Sequence, residues 1–243
     1  LRDNKAVFNA FVQIVASDFN MIIWIKDLSF ESLPPLRDIS KLYNSERKFF
    51  QSGGQIVHLA AFRGRIKVLH NLHKYGVDFN QATKEGVTPA HIAAQIRNHN
   101  TLRTLHDLGA DLNKGNDVGA TPAYIAAQKG HNNTLHTLHD LGADLDKPTT
   151  NGATPAYIAA HLRHNNTLHT LHDLSADLNK PTTDGATLAH IAAQKGDDIT
   201  LRTLHDLGAD LNKQRTDDGV TPTFLAAQEG HESILEFLIG IRV

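Results

Sequence analysis

Histidine is the residue type whose number and spacing in this sequence first suggest chemistry. The chain has 16 histidines, and five of them recur every 33 residues, at His73, His106, His139, His172 and His205. Imidazole nitrogens bind zinc at about 2.0 Å. Side chains on helices that stack about 8 to 10 Å apart, however, do not converge on one ion. We therefore expect half-buried packing histidines in this column and no metal site.

Histidines also occur three residues apart, a spacing that places two imidazoles on one helix face and can chelate nickel weakly. His136 and His139 form such a pair. The residue 33 positions before His136 is Arg103, and the residue 66 positions after it is Arg202. Arginine does not ligate a metal at neutral pH. The position therefore favours a basic surface group over a metal ligand.

The sequence lacks the patterns of known catalytic centres. It has no phosphate-binding loop, nucleophile elbow or dinucleotide motif, and His231-Glu232 lacks the second histidine of a zinc-protease helix. There is no cysteine, which excludes a thiolate nucleophile, a disulfide and cysteine-ligated zinc and favours a reducing compartment such as the cytosol. We predict that the chain is not an enzyme and needs no cofactor.

Charge and hydropathy exclude two further classes of partner. The 24 Lys and Arg nearly balance 26 Asp and Glu, giving a net charge of −2 at pH 7, so nothing draws the whole chain to a polyanion. Residues 6–25 are apolar but contain Asn9, Asp18 and Asn20, which a membrane span excludes. We expect a monomer with a protein partner, no nucleic acid and no membrane insertion.

An internal repeat organises most of the chain. Thr-Pro dipeptides at Thr88, Thr121 and Thr154 lie 33 residues apart, and Thr187-Leu188 and Thr221-Pro222 continue the series. Six repeats follow, starting near Gly53, Gly86, Gly119, Gly152, Gly185 and Gly219. Residues 119–151 and 152–184 agree at 27 of 33 positions. Self-similarity of this kind is the signature of a repeat protein.

Each repeat predicts two short helices. Thr121 can cap the first helix, Pro122 suits its first position, and Gly130 ends it. A second helix begins near Asn132 and aligns Leu135, Leu138 and Leu141 in one apolar stripe. Two helices of this length do not bury such a stripe alone, so neighbouring repeats must stack. The sequence therefore predicts an all-α solenoid of about six helix-turn-helix repeats.

The motifs within one repeat resemble those of the ankyrin family. Residues 86–94 read GVTPAHIAA, Leu102 and Leu105 follow, and residues 109–113 read GADLN. The resemblance covers residues 53–243 and implies a concave protein-binding face with protruding turns. The variant of the repeat is also similar to ankyrin proteins that intracellular bacteria deliver into host cells, which would place the chain in the host cytosol.

Three residues depart from the glycines that the resemblance implies. Arg97 and Arg163 occupy the position between the two helices, and Ser175 occupies the position after the second helix. A side chain in the left-handed region costs about 1 kcal/mol. We therefore expect the fourth repeat, residues 152–184, to be the least stable. A second column of residues at the repeat spacing is expected to lie largely in the core: His58, His91, Tyr124, Tyr157, His190 and Phe224.

Two sets of residues are candidates for binding a partner. Each of the first five repeats carries one basic residue on one of two adjacent positions at the end of its first helix: Arg63, Arg97, Lys129, Arg163 and Lys195. These residues either contact an acidic protein segment or simply stabilise helix C-termini, which favour cations. The turns between repeats supply Lys84, Asn116, Asp117, Thr150, Asn151, Thr183, Asp184, Arg215 and Asp217. The last turn has one extra residue and should project.

The two ends differ from the repeats. Residues 1–52 have a helical apolar pattern and predict a helical N-terminal cap, with a fragment of another domain as the alternative. Residues 234–243 are strongly apolar, which a terminal repeat facing solvent would avoid, so we expect truncation or a further covering segment. The function hypothesis is a non-catalytic protein-interaction module. The alternative is the targeting part of a larger enzyme or of a secreted bacterial effector.

Overall fold

The fold is a series of paired helices. The computed structural model describes residues 56–241, and in that range it has twelve α-helices and no strand. The helices are α1 Ile56–Phe62, α2 Ile66–Lys74, α3 Pro89–Gln95, α4 His99–Asp107, α5 Pro122–Gln128, α6 Asn132–Asp140, α7 Pro155–His161, α8 Asn165–Asp173, α9 Leu188–Gln194, α10 Asp198–Asp206, α11 Pro222–Gln228 and α12 Glu232–Gly240. Each repeat contributes one seven-residue and one nine-residue helix, which confirms the predicted all-α repeat architecture.

The chain divides into two compact units, residues 1–117 and 118–243. In the N-terminal unit, α1 packs on α3 and α2 packs on α4. In the C-terminal unit, the first helices α5, α7, α9 and α11 form one row, and the second helices α6, α8, α10 and α12 form another. Each unit therefore stacks its repeats through like helices, as repeat architectures do.

Threonine and proline start the first helices as the sequence predicts. Thr121 Oγ1 accepts a hydrogen bond from the Tyr124 backbone N–H at 3.2 Å, and Thr154 repeats this contact with Tyr157. The proline after each threonine occupies the first turn, where its missing N–H leaves no bond unmade. These local rules fix where each first helix begins.

The core consists of leucines from second helices and alanines from first helices. In α6, Leu135 and Leu138 are fully buried, while Leu141 lies just beyond the helix and is half-buried. Ala126 and Ala127 of α5 are also fully buried. Because alanine is small, it lets the rows of helices approach closely, so the repeats bury together what none buries alone.

The three non-glycine residues at predicted glycine positions do adopt the left-handed conformation. Arg97, Arg163 and Ser175 have φ values of 60°, 61° and 64°. The repeat geometry therefore imposes this conformation even where a side chain opposes it. Each such residue retains strain of about 1 kcal/mol or more that glycine would avoid.

The ends of the chain are only partly within the described range. The predicted cap over residues 1–52, the start of the first repeat at Gly53 and the last two residues lie outside it. In α12, Ile234 and Leu238 are buried, so the apolar run is not simply an exposed surface. Ile239 is 53% exposed. Among the described residues, no helix combines the length and apolar character needed to cross a membrane.

Candidate functional site

The predicted binding residues fall on two surfaces. We call the turns between repeats the turn tips, and the side where each first helix ends and each second helix begins the helix-turn edge. A first helix of seven residues separates the two surfaces by about 10 Å. Within each of the two units, the tip residues therefore lie apart from the basic residues.

Backbone hydrogen bonds connect adjacent turn tips. In the C-terminal unit, the Thr150 N–H donates to the Val118 carbonyl at 2.9 Å, and the Thr183 N–H donates to the Asn151 carbonyl at 3.0 Å. In the N-terminal unit, the Asp117 N–H donates to the Glu85 carbonyl at 3.2 Å. The tips therefore have a structural role, because within each unit these bonds tie one tip to the next.

Close packing between neighbouring tips explains why position 152 is a glycine. Gly152 has a φ of 83°, and a Cβ on it would lie 2.5 Å from the Thr183 backbone nitrogen. Thr182, which precedes Thr183, is itself buried and bonds the Ala186 carbonyl. The tips are thus ordered surfaces. Thr150 and Thr183 are exposed, and their hydroxyls also donate to the Val118 and Asn151 carbonyls of the preceding tips.

The last tip is wider than the others and is stabilised by an ion cluster. Its closing hydrogen bond joins Gly219 to Arg215, four residues apart, whereas Gly152 and Thr149 are three apart. The predicted extra residue is therefore accommodated within the turn. Arg215 lies 2.9 Å from Asp217 and 3.5 Å from Asp218. Arg215 also lies near Asp184, so its charge already has acidic partners within the chain.

The same cluster shifts the pKa values of its acids. The Thr182 hydroxyl donates to Asp184 and is the main reason that the pKa of this carboxyl is lowered, with Arg215 adding to the effect. The hydrogen bond from Arg215 lowers the pKa of Asp217. Both acids therefore stay ionised at neutral pH. Asp184 and Asp217 are exposed.

At the helix-turn edge, two predicted basic residues link neighbouring repeats. Lys195 Nζ donates to the His161 carbonyl at 2.9 Å, and Arg163 Nη2 donates to the Lys195 carbonyl at 3.2 Å. Arg163 Nε also lies 3.4 Å from Asp197 Oδ2. Both carbonyls are at C-terminal ends of first helices, where positive charge is favoured. This geometry supports helix-end stabilisation for Arg163 and Lys195 without burying either side chain.

The other predicted basic residues lie at corresponding positions of their repeats. Lys129 and Arg97 are exposed. Arg63 is also exposed, and its guanidinium lies 5.7 Å from the Phe62 ring centroid. Of the remaining tip residues, Lys84 is exposed and Asn116 is half-buried.

Sequence reasoning missed how the left-handed residue between two helices pairs with the next repeat. His164 lies over Gly130 and donates from Nε2 to the Gln128 carbonyl at 3.2 Å. His231 makes the same contact with Gln194 beside Gly196, where a Cβ would come within 2.7 Å of the imidazole.

Other residue pairs occupy the same junction elsewhere. In the N-terminal unit, Asn98 lies against Gly64. Where the left-handed residue is Arg163, its partner is the carboxylate of Asp197. A signal was available in the sequence, because each partner follows its left-handed residue by 34 or 35 positions.

The column of five histidines points outward. All five side chains are exposed, and those of His106 and His205 are 44% and 48% accessible. They are therefore more exposed than the half-buried histidines that the sequence predicts. His205 nevertheless lies edge-on to Phe237, with ring centroids 5.6 Å apart. Within residues 56–241, no three histidine or acidic side chains are arranged to hold a metal ion.

The other histidine column is internal, as predicted, in three repeats. His58, His91 and His190 are buried. His190 Nε2 lies 3.0 Å from the Val220 carbonyl, so this nitrogen donates and Nδ1 accepts from the Thr187 N–H. Burial lowers the pKa of His190 and of His58. These imidazoles are neutral structural links.

The aromatic members of this column are less buried than expected. Tyr124 and Tyr157 are half-buried, and burial raises the pKa of each hydroxyl. Tyr157 stacks on His161 with ring centroids 6.5 Å apart. Phe224 is 54% exposed, so its assignment to the core is wrong. In the final repeat no following helix pair within the described residues covers this position.

Comparison with known proteins agrees with this architecture. Sequence comparison finds no significant match among curated proteins. A family model for ankyrin repeats, which spans three copies, matches residues 57–149, 97–182 and 156–243. Together these matches cover every described repeat, and ankyrin repeats are generally non-catalytic protein-interaction modules. The chain belongs to the ankyrin repeat family.

Proposed function

We propose that this chain binds a protein partner through its turn tips and its helix-turn edge and catalyses no reaction itself. One comparison carries the proposal. Residues 119–151 and 152–184 differ at six positions, and in each repeat all six are exposed or half-buried. Three of the differences, His161, Leu162 and Arg163 in the second of these repeats, are adjacent on the helix-turn edge. The repeats thus keep one core and vary their surface.

Charge at the helix-turn edge favours an acidic protein segment as the partner. Lys129, Arg163 and Lys195 are exposed there in the C-terminal unit. The neighbouring acids are occupied, because Asp197 is only 5% exposed beside Arg163, and Asp198 bonds Arg202 at 2.8 Å. The exposed cations of the third to fifth repeats are therefore complementary to carboxylates, whereas the sixth repeat carries the exposed Glu229 at the position of Lys195.

Nucleic acid fits this edge less well than an acidic protein. Adjacent repeats place their cations about 10 Å apart, whereas phosphates along one DNA strand recur about every 3.4 Å. Nonspecific binding of single strands usually relies on aromatic rings that stack on bases. The basic positions on this edge are not interleaved with such rings in the C-terminal unit.

The test is affinity for a captured protein partner, measured with two surface variants. One variant changes Lys129 and Lys195 to glutamate and keeps Arg163, because a glutamate there would face Asp197. The other changes Thr150 and Thr183 to alanine at the tips. We expect each variant to weaken binding by about tenfold or more, with the first effect diminishing at high salt.

The matched control is Asp173→Lys, which reverses an exposed charge at the end of the second helix α8, outside both surfaces. It should bind like the wild type. Unchanged affinity in both surface variants would refute the proposed binding surfaces. Tight, salt-sensitive binding of duplex DNA or single-stranded RNA in a mobility-shift assay would refute the choice of an acidic protein.

A further inference from the structure

Two large aliphatic side chains are exposed on the helix-turn edge of the C-terminal unit. Leu162 is 41% exposed at the end of α7, and Ile199 is 68% exposed at the start of α10. The equivalent residues of the third repeat are Lys129 and Asn133. Polar residues therefore satisfy the fold at both positions, and the core does not explain why leucine and isoleucine occupy them here.

The contacts of Arg163 join the two segments that carry these aliphatic residues. Leu162 precedes Arg163 directly, and Asp197, whose carboxylate lies 3.4 Å from Arg163 Nε, precedes Ile199 by two residues. Lys195 is joined to the same group, because its carbonyl accepts from Arg163 and its ammonium bonds the His161 carbonyl. Two exposed aliphatic side chains and two exposed cations therefore lie on linked segments of the fourth and fifth repeats.

The cations of this surface are held in position while remaining accessible. Arg163 has a φ of 61°, and its contacts with Lys195 and Asp197 restrict the side chain, yet 60% of that side chain is exposed. Restricting a side chain before binding reduces the entropy lost on binding. Glycine at the same position of the third repeat shows that an arginine is not required by the turn itself.

The charges around the surface select one kind of occupant. Asp197 is buried and accepts from the Thr200 N–H and hydroxyl, and Asp198 bonds Arg202. Arg163 and Lys195 are therefore the exposed cations of the fourth and fifth repeats on this edge, and the exposed acids Glu229 and Glu232 belong to the sixth repeat. An acidic segment places carboxylates against Arg163 and Lys195, and an apolar side chain in that segment covers Leu162 and Ile199.

We propose that Leu162, Arg163, Lys195 and Ile199 form a docking surface for an acidic peptide segment that carries a large apolar side chain. This inference rests on the proposed protein-binding function and specifies the chemistry of the partner. It differs from binding at the turn tips, which lie at the other end of the first helices.

Fluorescence anisotropy with labelled synthetic peptides tests the surface. The probe peptide contains glutamates and a central leucine. Two matched probes replace its glutamates by glutamine or its leucine by serine. The full chain should bind the first probe at least tenfold more tightly than either matched probe. Loss of one leucine-sized contact or one charge pair accounts for a difference of this size.

Two variants of the chain separate the apolar and the charged contributions. Leu162→Lys combined with Ile199→Asn introduces the residues of the third repeat, so folding should be retained, with circular dichroism as the check. The added lysine attracts both glutamate probes alike, so we expect the ratio of affinities for the leucine probe over the serine probe to fall by about tenfold in this variant. Lys195→Glu should lose affinity for both glutamate probes. Val118→Asn and Lys147→Glu are the apolar and charged controls, and neither should change binding.

Equal binding of all three probes, or equal binding of the leucine probe by every variant, would overturn this docking surface. The captured protein partner distinguishes that failure from failure of the proposed function. A partner that is weakened by the tip variant but not by Leu162→Lys with Ile199→Asn leaves the function standing and refutes this surface. A partner that is insensitive to every surface variant refutes both.

Discussion

Exchanging one inter-repeat junction for another is the most direct test of how the C-terminal unit is stabilised. Arg163 pairs with Asp197 at one junction, whereas Gly130 pairs with His164 and Gly196 with His231 at the flanking junctions. The change is therefore Arg163→Gly, Asp197→His and the two together. The double variant recreates a pairing that the chain already uses.

The expected free energies follow from the contacts. Arg163→Gly relieves left-handed strain of about 1 kcal/mol. It also loses the hydrogen bond to Lys195 and the ion pair with Asp197, together worth about 1 kcal/mol because the arginine is 60% exposed. The two effects have opposite signs. The single variant should therefore change the free energy of unfolding by less than about 1 kcal/mol.

Asp197→His alone should destabilise the protein more. It removes the cap that Asp197 provides to Thr200, worth about 1 kcal/mol, and it removes the acid that faces Arg163. With Arg163→Gly also present, the imidazole can lie over the glycine and bond the carbonyl of His161, as His164 does with Gln128. We expect a favourable coupling of about 1 to 2 kcal/mol between the two changes.

Urea denaturation of all four proteins, followed by circular dichroism, measures this coupling. The midpoint of the double variant should lie closer to the wild type than that of Asp197→His. A coupling below about 0.3 kcal/mol would mean that the two sites are independent. The pairing between positions 163 and 197 would then make no measurable contribution to stability.

Three further predictions concern the core, the buried histidines and the last repeat. Leu138→Ala should lower the free energy of unfolding by about 2 to 5 kcal/mol and reduce the cooperativity of the urea transition, because Leu138 is fully buried. An unchanged midpoint would contradict its place in the core. His190 has a lowered folded pKa, so its contribution to stability is present above the unfolded pKa of about 6.5 and is lost as pH falls below it. His190→Tyr should therefore flatten the dependence of stability on pH below about pH 6.5, and an identical slope would show that His190 is not the titrating group. Phe224→Gln with Ile239→Lys should reduce any self-association seen by light scattering at high concentration, since both residues are more than half exposed.

Much of the fold follows from local rules that a sequence displays. The Thr-Pro dipeptide fixes where first helices begin, as Pro122 in α5 shows, and leucine spacing fixes which side of a second helix is buried. Even the strain at Arg97 and Ser175 could be predicted, because the repeat requires a left-handed residue at their positions whatever the side chain. These features depend on neighbours within one repeat.

The surfaces could not be predicted as well, because they depend on contacts about 34 residues apart. The basic residues look alike in the sequence, on one or the other of two adjacent positions of the repeat. Lys195 nevertheless bonds a carbonyl of the preceding repeat, and Arg163 bonds one of the following repeat. The turn tips look like polar loops, yet the Thr183 N–H is committed to Asn151. The type of residue alone does not show whether its side chain or backbone bonds the preceding or the following repeat.

The same contacts make stability and recognition interdependent at the helix-turn edge. Arg163 and Lys195 hold adjacent repeats together through helix-end carbonyls, and the outward parts of these side chains remain in solvent. A partner that binds their outward faces would find both charges already fixed, so it would lose little side-chain entropy. It would also bridge the fourth and fifth repeats and so stabilise their junction by mass action. Ligand binding at this edge should therefore raise the urea midpoint of the wild type more than that of Arg163→Gly, because the glycine variant lacks the side chain through which the junction and the ligand are coupled.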